Sequence, residues 1–447
     1  MKQLFNNDWF FHRAPLETTI DTFFNTKDWE PVDIPHDWMI YDSKDLYAQG
    51  VSCYKKTFTV PALGLDRLSI LFEGVYMDNE IFLNGEKIFT WPYGYSQFEI
   101  DLTSYVKEGE NTIWVKNTYE LPNSRWYPGS GIYRNVWLVR RPAVHFTTDG
   151  GYLAAKKEGD AFILHADYEI QNDTDSACEV TLCHTVLAPD GKVAGTSKET
   201  LTIPCGLTVN KQTMIFEAPL LWDIESPNLY TVHSEIIKDE TAFDSSDDRF
   251  GFRTIAFDPD KGFFLNGRNV KINGSCEHHT LGALGAAMNR EAVRRQLTIM
   301  QKMGVNAIRS AHNMPAPELM ELCDEMGLLL YTESFDMWEH CKTDYDYGNY
   351  FKDWWKTDLT SWVRQDRNHP SVFIWGIGNE IHDINFDRGL EVTKMLRDAV
   401  KELDYYGNAV IGMGSNIMGG EGAQKCAAEV DLVGYNYMEH LYDEHHE

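Results

Sequence analysis

Between about residues 50 and 140 apolar and polar positions alternate, as in Leu68, Ile70 and Phe72 and then Ile81 and Leu83, with Asn84-Gly85 supplying a hairpin turn before Lys87 and Ile88. A period of two buries one face of a strand, so this stretch predicts a β domain. A second alternating set follows Arg140-Arg141-Pro142. It comprises Phe162, Leu164, Ala166, Tyr168 and Ile170, then Val180 and Leu182 before the turn Pro189-Asp190-Gly191. Its spacing predicts a β-sandwich of about 100 residues.

Beyond Phe250 the pattern changes to short apolar runs separated by helical stretches, after the tight turn Leu265-Asn266-Gly267. Strands are predicted at Val270 to Ile272, Ala307 to Ser310, Leu328 to Thr332, Val372 to Ile377, Ala409 to Met413 and Leu432 to Tyr435. Helices are predicted between them. Arg290 to Met303 carries Val293, Leu297 and Met300 on one face behind a capping Asn289, and Asp387 to Leu403 behaves similarly. Parallel strands need crossovers, so this alternation implies a parallel sheet. Six such units fit part of a (β/α)₈ barrel better than a doubly wound sheet, and no glycine-rich phosphate loop follows any strand.

Composition narrows the partners. The 447 residues hold 68 acidic against 40 basic side chains, a formal charge of −28, which repels nucleic acid and anionic membrane. The eight cysteines show no spacing that suggests a zinc site or a disulfide framework. They are expected to be reduced, mostly buried thiols. The opening MKQLFNNDWFFHRAP lacks the apolar core of a signal peptide, and no uncharged apolar stretch is long enough to span a membrane. The expectation is a soluble, cytoplasmic protein.

In a (β/α)₈ barrel, chemistry sits where the strands end at the C-terminal face. Polar residues collect there: Cys276-Glu277-His278-His279 after the first strand, His312-Asn313 after the second, Glu333 and Asp336 after the third, Asn379-Glu380 after the fourth, and Asn436-Tyr437 after the sixth. Five strand ends thus bring polar groups to one mouth.

The run Asp366-Arg367-Asn368-His369-Pro370-Ser371-Val372-Phe373-Ile374-Trp375-Gly376, followed by Asn379-Glu380, resembles the acid/base signature of glycoside hydrolase family 2. Pro35-His36-Asp37-Trp38, Asp78 to Gly85, Gly129-Ser130-Gly131-Ile132-Tyr133-Arg134, Ser226-Pro227-Asn228-Leu229-Tyr230 and Asn306 to His312 are similar to other stretches of that family. The resemblance implies a multidomain chain: a jelly-roll sugar-binding β-sandwich over 1–143, an immunoglobulin-like β-sandwich over 144–255, and the first six units of a TIM barrel over 256–447. It also implies a retaining glycosidase, which needs two carboxyls about 5 to 5.5 Å apart.

By that resemblance Glu380 is the general acid/base, its pKa raised by burial and by the nearby nucleophile's negative charge. Asn379 binds the sugar 2-hydroxyl, and His312, His278 and His279 are sugar ligands, with the inward-pointing member of the adjacent pair left open. Tyr437 contacts the nucleophile, and Trp126 reaches the barrel mouth from the first domain. Glu333, Asp336, Glu339 and His340 lie where some β-galactosidases of the family hold magnesium, but the ligand pattern is not reproduced. No metal and no cofactor are expected. The run Tyr331 to Trp338 and the HHTLGALGAA stretch from His278 resemble the β-galactosidase branch more than the glucuronidase branch, and no added Lys or Arg cluster is seen at the mouth to hold a uronate. The expected substrate is therefore a terminal β-galactoside, with β-glucuronides as the alternative. The other alternative is a non-catalytic carbohydrate-binding protein carrying a degenerate barrel.

The family places its nucleophile after a seventh strand, and only ten residues follow Tyr437. The chain is accordingly expected to be an inactive piece of a longer enzyme: a recombinant piece, a proteolytic product or a truncated reading frame. Open first and sixth strand edges would favour marginal stability or association as a homo-oligomer.

Overall fold

A computed structural model describes residues 1–446. In the first unit a six-stranded sheet, with Gly50–Val60 and Gly109–Tyr119 at its centre, faces a four-stranded sheet built on Val136–Arg141 and Arg67–Phe72. Strict alternation along Gly109–Tyr119 buries Ile113, Val115 and Tyr119 completely. The predicted hairpin turn forms: Leu83 pairs Glu86, and Asn84 and Gly85 both take positive φ, 53° and 91°. That is the backbone a two-residue turn needs to match the twist of its strands.

The second unit stacks a three-stranded sheet (Val144–Glu158, Ala161–Asn172, Gly206–Glu217) on a four-stranded one (Val193–Ile203, Cys178–Leu187, Tyr230–Lys238, Thr241–Phe250). Phe162, Leu164, Ala166, Tyr168 and Ile170 all face its core, against Val180, Leu182, Val232 and Ile236. It docks on the barrel through Arg364, which forks onto Glu169 at 2.6 and 2.8 Å. Asn368 adds a second tie, accepting from Leu153 N at 2.8 Å and donating to Gly151 O at 3.0 Å.

The third unit is a six-stranded parallel sheet in sequence order: Gly274–Glu277, Ala307–Ser310, Leu329–Glu333, Val372–Asn379, Val410–Ser415 and Leu432–Tyr435. Helices Arg290–Lys302, Pro317–Met326, Gly348–Asp366, Asp387–Leu403 and Glu421–Ala427 make the crossovers. The first strand is not the predicted Val270 to Ile272. Val270 donates its N–H to Phe263 O at 2.9 Å and packs with Trp222, Phe263, Leu265 and Phe373 below the sheet. The strand proper, Gly-Ser-Cys-Glu, lies at the sheet edge with little buried surface, so it carries no apolar run to read.

The first unit and the barrel share one hydrophobic core. Trp91 meets Trp354 edge-on at 5.5 Å, and Tyr93 lies 4.1 Å from Tyr347. The buried Arg134 guanidinium donates to Tyr95 O and Met314 O, each at 2.8 Å. These contacts hold the first unit's loop after Tyr119 over the C-terminal face of the barrel. Of the eight thiols, all free, Cys53, Cys178, Cys323 and Cys426 are buried but Cys205 and Cys276 are exposed, a smaller buried share than expected. Among the described residues no helix is long and apolar enough to cross a membrane.

Candidate active site

The fourth strand, Val372–Asn379, is buried along its whole length. It breaks at Glu380, whose φ of 49° lies in the left-handed region, an uncommon and costly place for a residue with a Cβ. Glu380 N–H donates to Gly414 O at 2.8 Å. The carboxylate accepts from Arg125 Nη1 at 2.8 Å on one oxygen and from Asn436 Nδ2 at 3.0 Å on the other.

Among the described residues these partners outweigh the burial on which the expected acidity partly rested. Burial alone pushes the Glu380 carboxyl up, but the hydrogen bonds from Arg125 and Asn436, with the charges of Arg125 and Lys342, outweigh it. The group is held below the ordinary glutamate value, because donors to the charged form favour that form.

Asn379 is fully buried and held at both ends of its amide. Its oxygen accepts from Arg309 Nη2 at 2.8 Å and Asn436 Nδ2 at 2.9 Å, and its nitrogen donates to Asp336 Oδ1 at 2.9 Å. With both oxygen lone pairs used, one amide hydrogen remains uncommitted. Asp336 also accepts from Arg125 Nε at 3.0 Å and Lys342 Nζ at 2.9 Å. Lys342 reaches Asn379 O as well, at 2.7 Å.

Glu333 ends the third strand with no exposed surface. One oxygen takes both Arg309 Nε (2.8 Å) and Nη2 (2.6 Å), and the other takes His312 Nδ1 at 2.7 Å. A carboxylate on Nδ1 fixes the ring and leaves Nε2 for another partner. Glycine makes this crossing possible. A Cβ on Gly376 would stand 2.6 Å from Glu333 Cγ, and one on Gly414 would stand 2.6 Å from Arg309 Nη2.

Trp126, from the first unit, lies 4.8 Å from the His278 ring and 5.8 Å from His312, while His278 and His312 stand edge-on at 5.7 Å. With Tyr76, Tyr95 and Asn123 from the first unit and Asp336 from the barrel, Trp126 and His312 line a recess. Of the adjacent histidines, His278 is therefore the one beside the cluster. His279 turns away, its Nε2 bound to Pro128 O at 2.7 Å and its ring between Tyr95 and Tyr133. Burial drives its pKa down to about 3, so it is a neutral part of the seam between units. Tyr437 does not join the group. It is 82% exposed.

Arg125, Arg309 and Lys342 are the residues that sequence reasoning missed, and they correct the expectation of a mouth without clustered cations. Each is paired with an acid of the site. An arginine inside an otherwise apolar strand, as in Ala307-Ile308-Arg309-Ser310, was the available signal for one of them. Glu339 and His340 lie elsewhere, bound to Arg388 at 2.6 Å and Asp383 at 3.0 Å. Among the described residues no group of three or more His, Cys, Asp or Glu is placed to hold a metal ion.

Family models match three consecutive stretches. "Glycosyl hydrolases family 2, sugar binding domain" matches 26–142, "Glycosyl hydrolases family 2" matches 152–253, and "Glycosyl hydrolases family 2, TIM barrel domain" matches 259–444. The chain is 40% identical over 395 residues to the β-galactosidase BoGH2A of Bacteroides ovatus, covering 84% of this chain and 46% of that protein. It is 34% identical over 414 residues to a putative β-glucuronidase of Formosa agariphila, covering 88% of this chain and 39% of that one. The chain thus spans less than half the length of these relatives. The crystal structure of a glycosyl hydrolase family 2 member from Bacteroides cellulosilyticus superposes with a TM-score of 0.94 at 32% identity, covering 99% of this chain and 60% of that one.

Proposed function

The chain belongs to glycosyl hydrolases family 2, and from that premise we propose that it carries the proton donor and sugar-binding groups of a retaining β-glycosidase acting on terminal β-galactosyl residues. The observation that carries this reading is Glu380 at the end of the fourth strand, its oxygens on Arg125 and Asn436, next to an amide with one hydrogen to spare. Glu380 protonates the leaving oxygen in the first step and takes a proton from water in the second. Asn379, His312 and His278 supply directed hydrogen bonds to hydroxyls. Trp126 supplies an apolar wall.

Neither of the other two acids in the ion-pair cluster, Glu333 and Asp336, suits the role of nucleophile. Glu333 spends both oxygens on Arg309 and His312, and Asp336 spends its own on Arg125, Lys342 and Asn379. Both are sealed from solvent, at 0% and 2% exposure, so neither presents an oxygen to a bound sugar. The nucleophile is therefore not assigned to a described residue, and the described residues are not expected to turn over a glycoside alone.

Charge balance supports a neutral sugar. Arg125, Arg309 and Lys342 face Glu333, Asp336 and Glu380, which leaves no unpaired cation among them for a uronate. The 40% identity to a β-galactosidase points the same way, and the resemblance to a putative β-glucuronidase keeps glucuronides as the second reading. A reducing, cytoplasmic setting belongs to the same proposal, supported by eight free thiols.

The test is a panel of aryl β-galactosides and β-glucuronides given to the full-length gene product. Galactosides should be cleaved faster. Faster cleavage of the glucuronide would reverse the assignment, and inertness toward the whole panel would leave a carbohydrate-binding protein.

A further inference from the structure

Arg125 belongs to the first unit, yet it ends on two acids of the barrel. Its Nε and Nη2 grip the two oxygens of Asp336, and its remaining terminal nitrogen, Nη1, reaches Glu380. The two-pronged grip on Asp336 anchors the guanidinium. The Nη1 contact is additional to that anchor. The side chain is 35% exposed, whereas Lys342, on the same aspartate, is 2% exposed.

The loop that carries Arg125 is fastened on both sides. Asn123 accepts from Tyr76 OH at 2.9 Å, Trp126 Nε1 donates to Tyr95 OH at 3.3 Å, and Tyr127 OH donates to Asp37 at 2.6 Å. Across the seam, Tyr345 N–H donates to Pro122 O at 2.9 Å. Arg125 therefore arrives at Glu380 from a rigid base.

We propose that Arg125 is a positioning residue by which the sugar-binding unit holds Glu380 as a carboxylate and sets the pH above which the site can no longer protonate a leaving group. This rests on Glu380 being the acid/base. Among the described residues, Arg125 from the first unit and Asn436 after the sixth strand donate to the Glu380 carboxylate, and the Gly414 carbonyl on the fifth strand accepts from its N–H. Lys342 after the third strand adds a nearby positive charge, and Asp336 shares the Arg125 guanidinium. Lys342 and Asp336 are bound to each other, Asn436 is neutral, and so Arg125 is the cation in direct contact. A guanidinium favours the charged carboxylate and opposes its protonation. It thereby assists the second step, in which Glu380 works as a base, at the expense of the first.

The Glu380 carboxyl can be followed without turnover, by ¹³C NMR of protein labelled at glutamate Cδ and assigned through the signal lost in Glu380→Gln. In Arg125→Gln the titration midpoint of Glu380 should rise by about one pH unit or more. The alkaline limb of the kcat/KM profile of the full-length gene product should move up in step. Arg125→Lys keeps the charge without the fork and should fall between the two; it also carries the test where Arg125→Gln does not fold. An unmoved midpoint in both variants overturns the proposal. A midpoint that moves while Glu380→Gln leaves catalysis intact keeps the ion-pair assignment and refutes instead the acid/base role on which it rests.

Discussion

Arg309 Nη2 stands 2.8 Å from Asn379 Oδ1 and 2.6 Å from Glu333 Oε1, so one guanidinium on the second strand fixes both the amide beside Glu380 and the carboxylate that orients His312. Replacing it by a neutral side chain leaves Glu333, which has no exposed surface, without its cation. Breaking one side of a buried pair costs about 3–5 kcal/mol. Arg309→Met should lower the denaturation free energy by that order, and adding Glu333→Gln should recover part of it. With Glu333→Gln also measured alone, losses that simply add in the double variant would show that the pair is not coupled.

Trp126 and His278 meet at 4.8 Å, whereas His279 is tied to Pro128. Trp126→Ala and His278→Ala should each weaken galactose binding by about tenfold, or ~1.4 kcal/mol, with little change in melting temperature. His279→Ala should do the reverse. Calorimetric titration beside thermal melting separates the two outcomes, and a His279 variant that loses binding but not stability would contradict the assignment.

Asp358 joins the first unit to the barrel, accepting from Ser96 Oγ at 2.6 Å and from Tyr347. Burial raises its pKa to about 7 from the ordinary 3.8. The folded state therefore holds this proton more tightly than the unfolded state does, so stability falls as pH rises from about 4 to 7 and then levels. Asp358→Asn needs no proton. The variant should lose less stability than the parent between pH 5 and pH 8, by an amount on the order of a few kcal/mol. Parallel slopes in urea titrations across that range would contradict this.

Much of the frame was legible because its periods were regular. Ala307–Ser310, Leu432–Tyr435 and Asp387–Leu403 lie where the apolar pattern placed them. The first barrel strand was not legible, because Gly274–Glu277 is an exposed edge, while Val270 is buried in a different layer. In the site, Glu380, Asn379, His312, His278 and Trp126 were named from sequence, and the structure gathers them. Their electrostatics were hidden. Arg125 lies 211 and 255 positions from its two partners, a relation that no local pattern encodes, and with Asn436 and Lys342 it outweighs the effect of burial on Glu380. Tyr437 was expected, by the resemblance, to contact the nucleophile; among the described residues it has positive φ and its ring lies in solvent.

The central claim is that Glu380 donates the proton to the departing oxygen. The most direct measurement is the rate of Glu380→Gln, in the full-length gene product, on aryl β-galactosides of graded leaving-group pKa. Leaving groups that need protonation should lose most of their turnover, and good leaving groups should lose little in the glycosylation step. A loss that is uniform along the series, or no loss at all, would contradict the account.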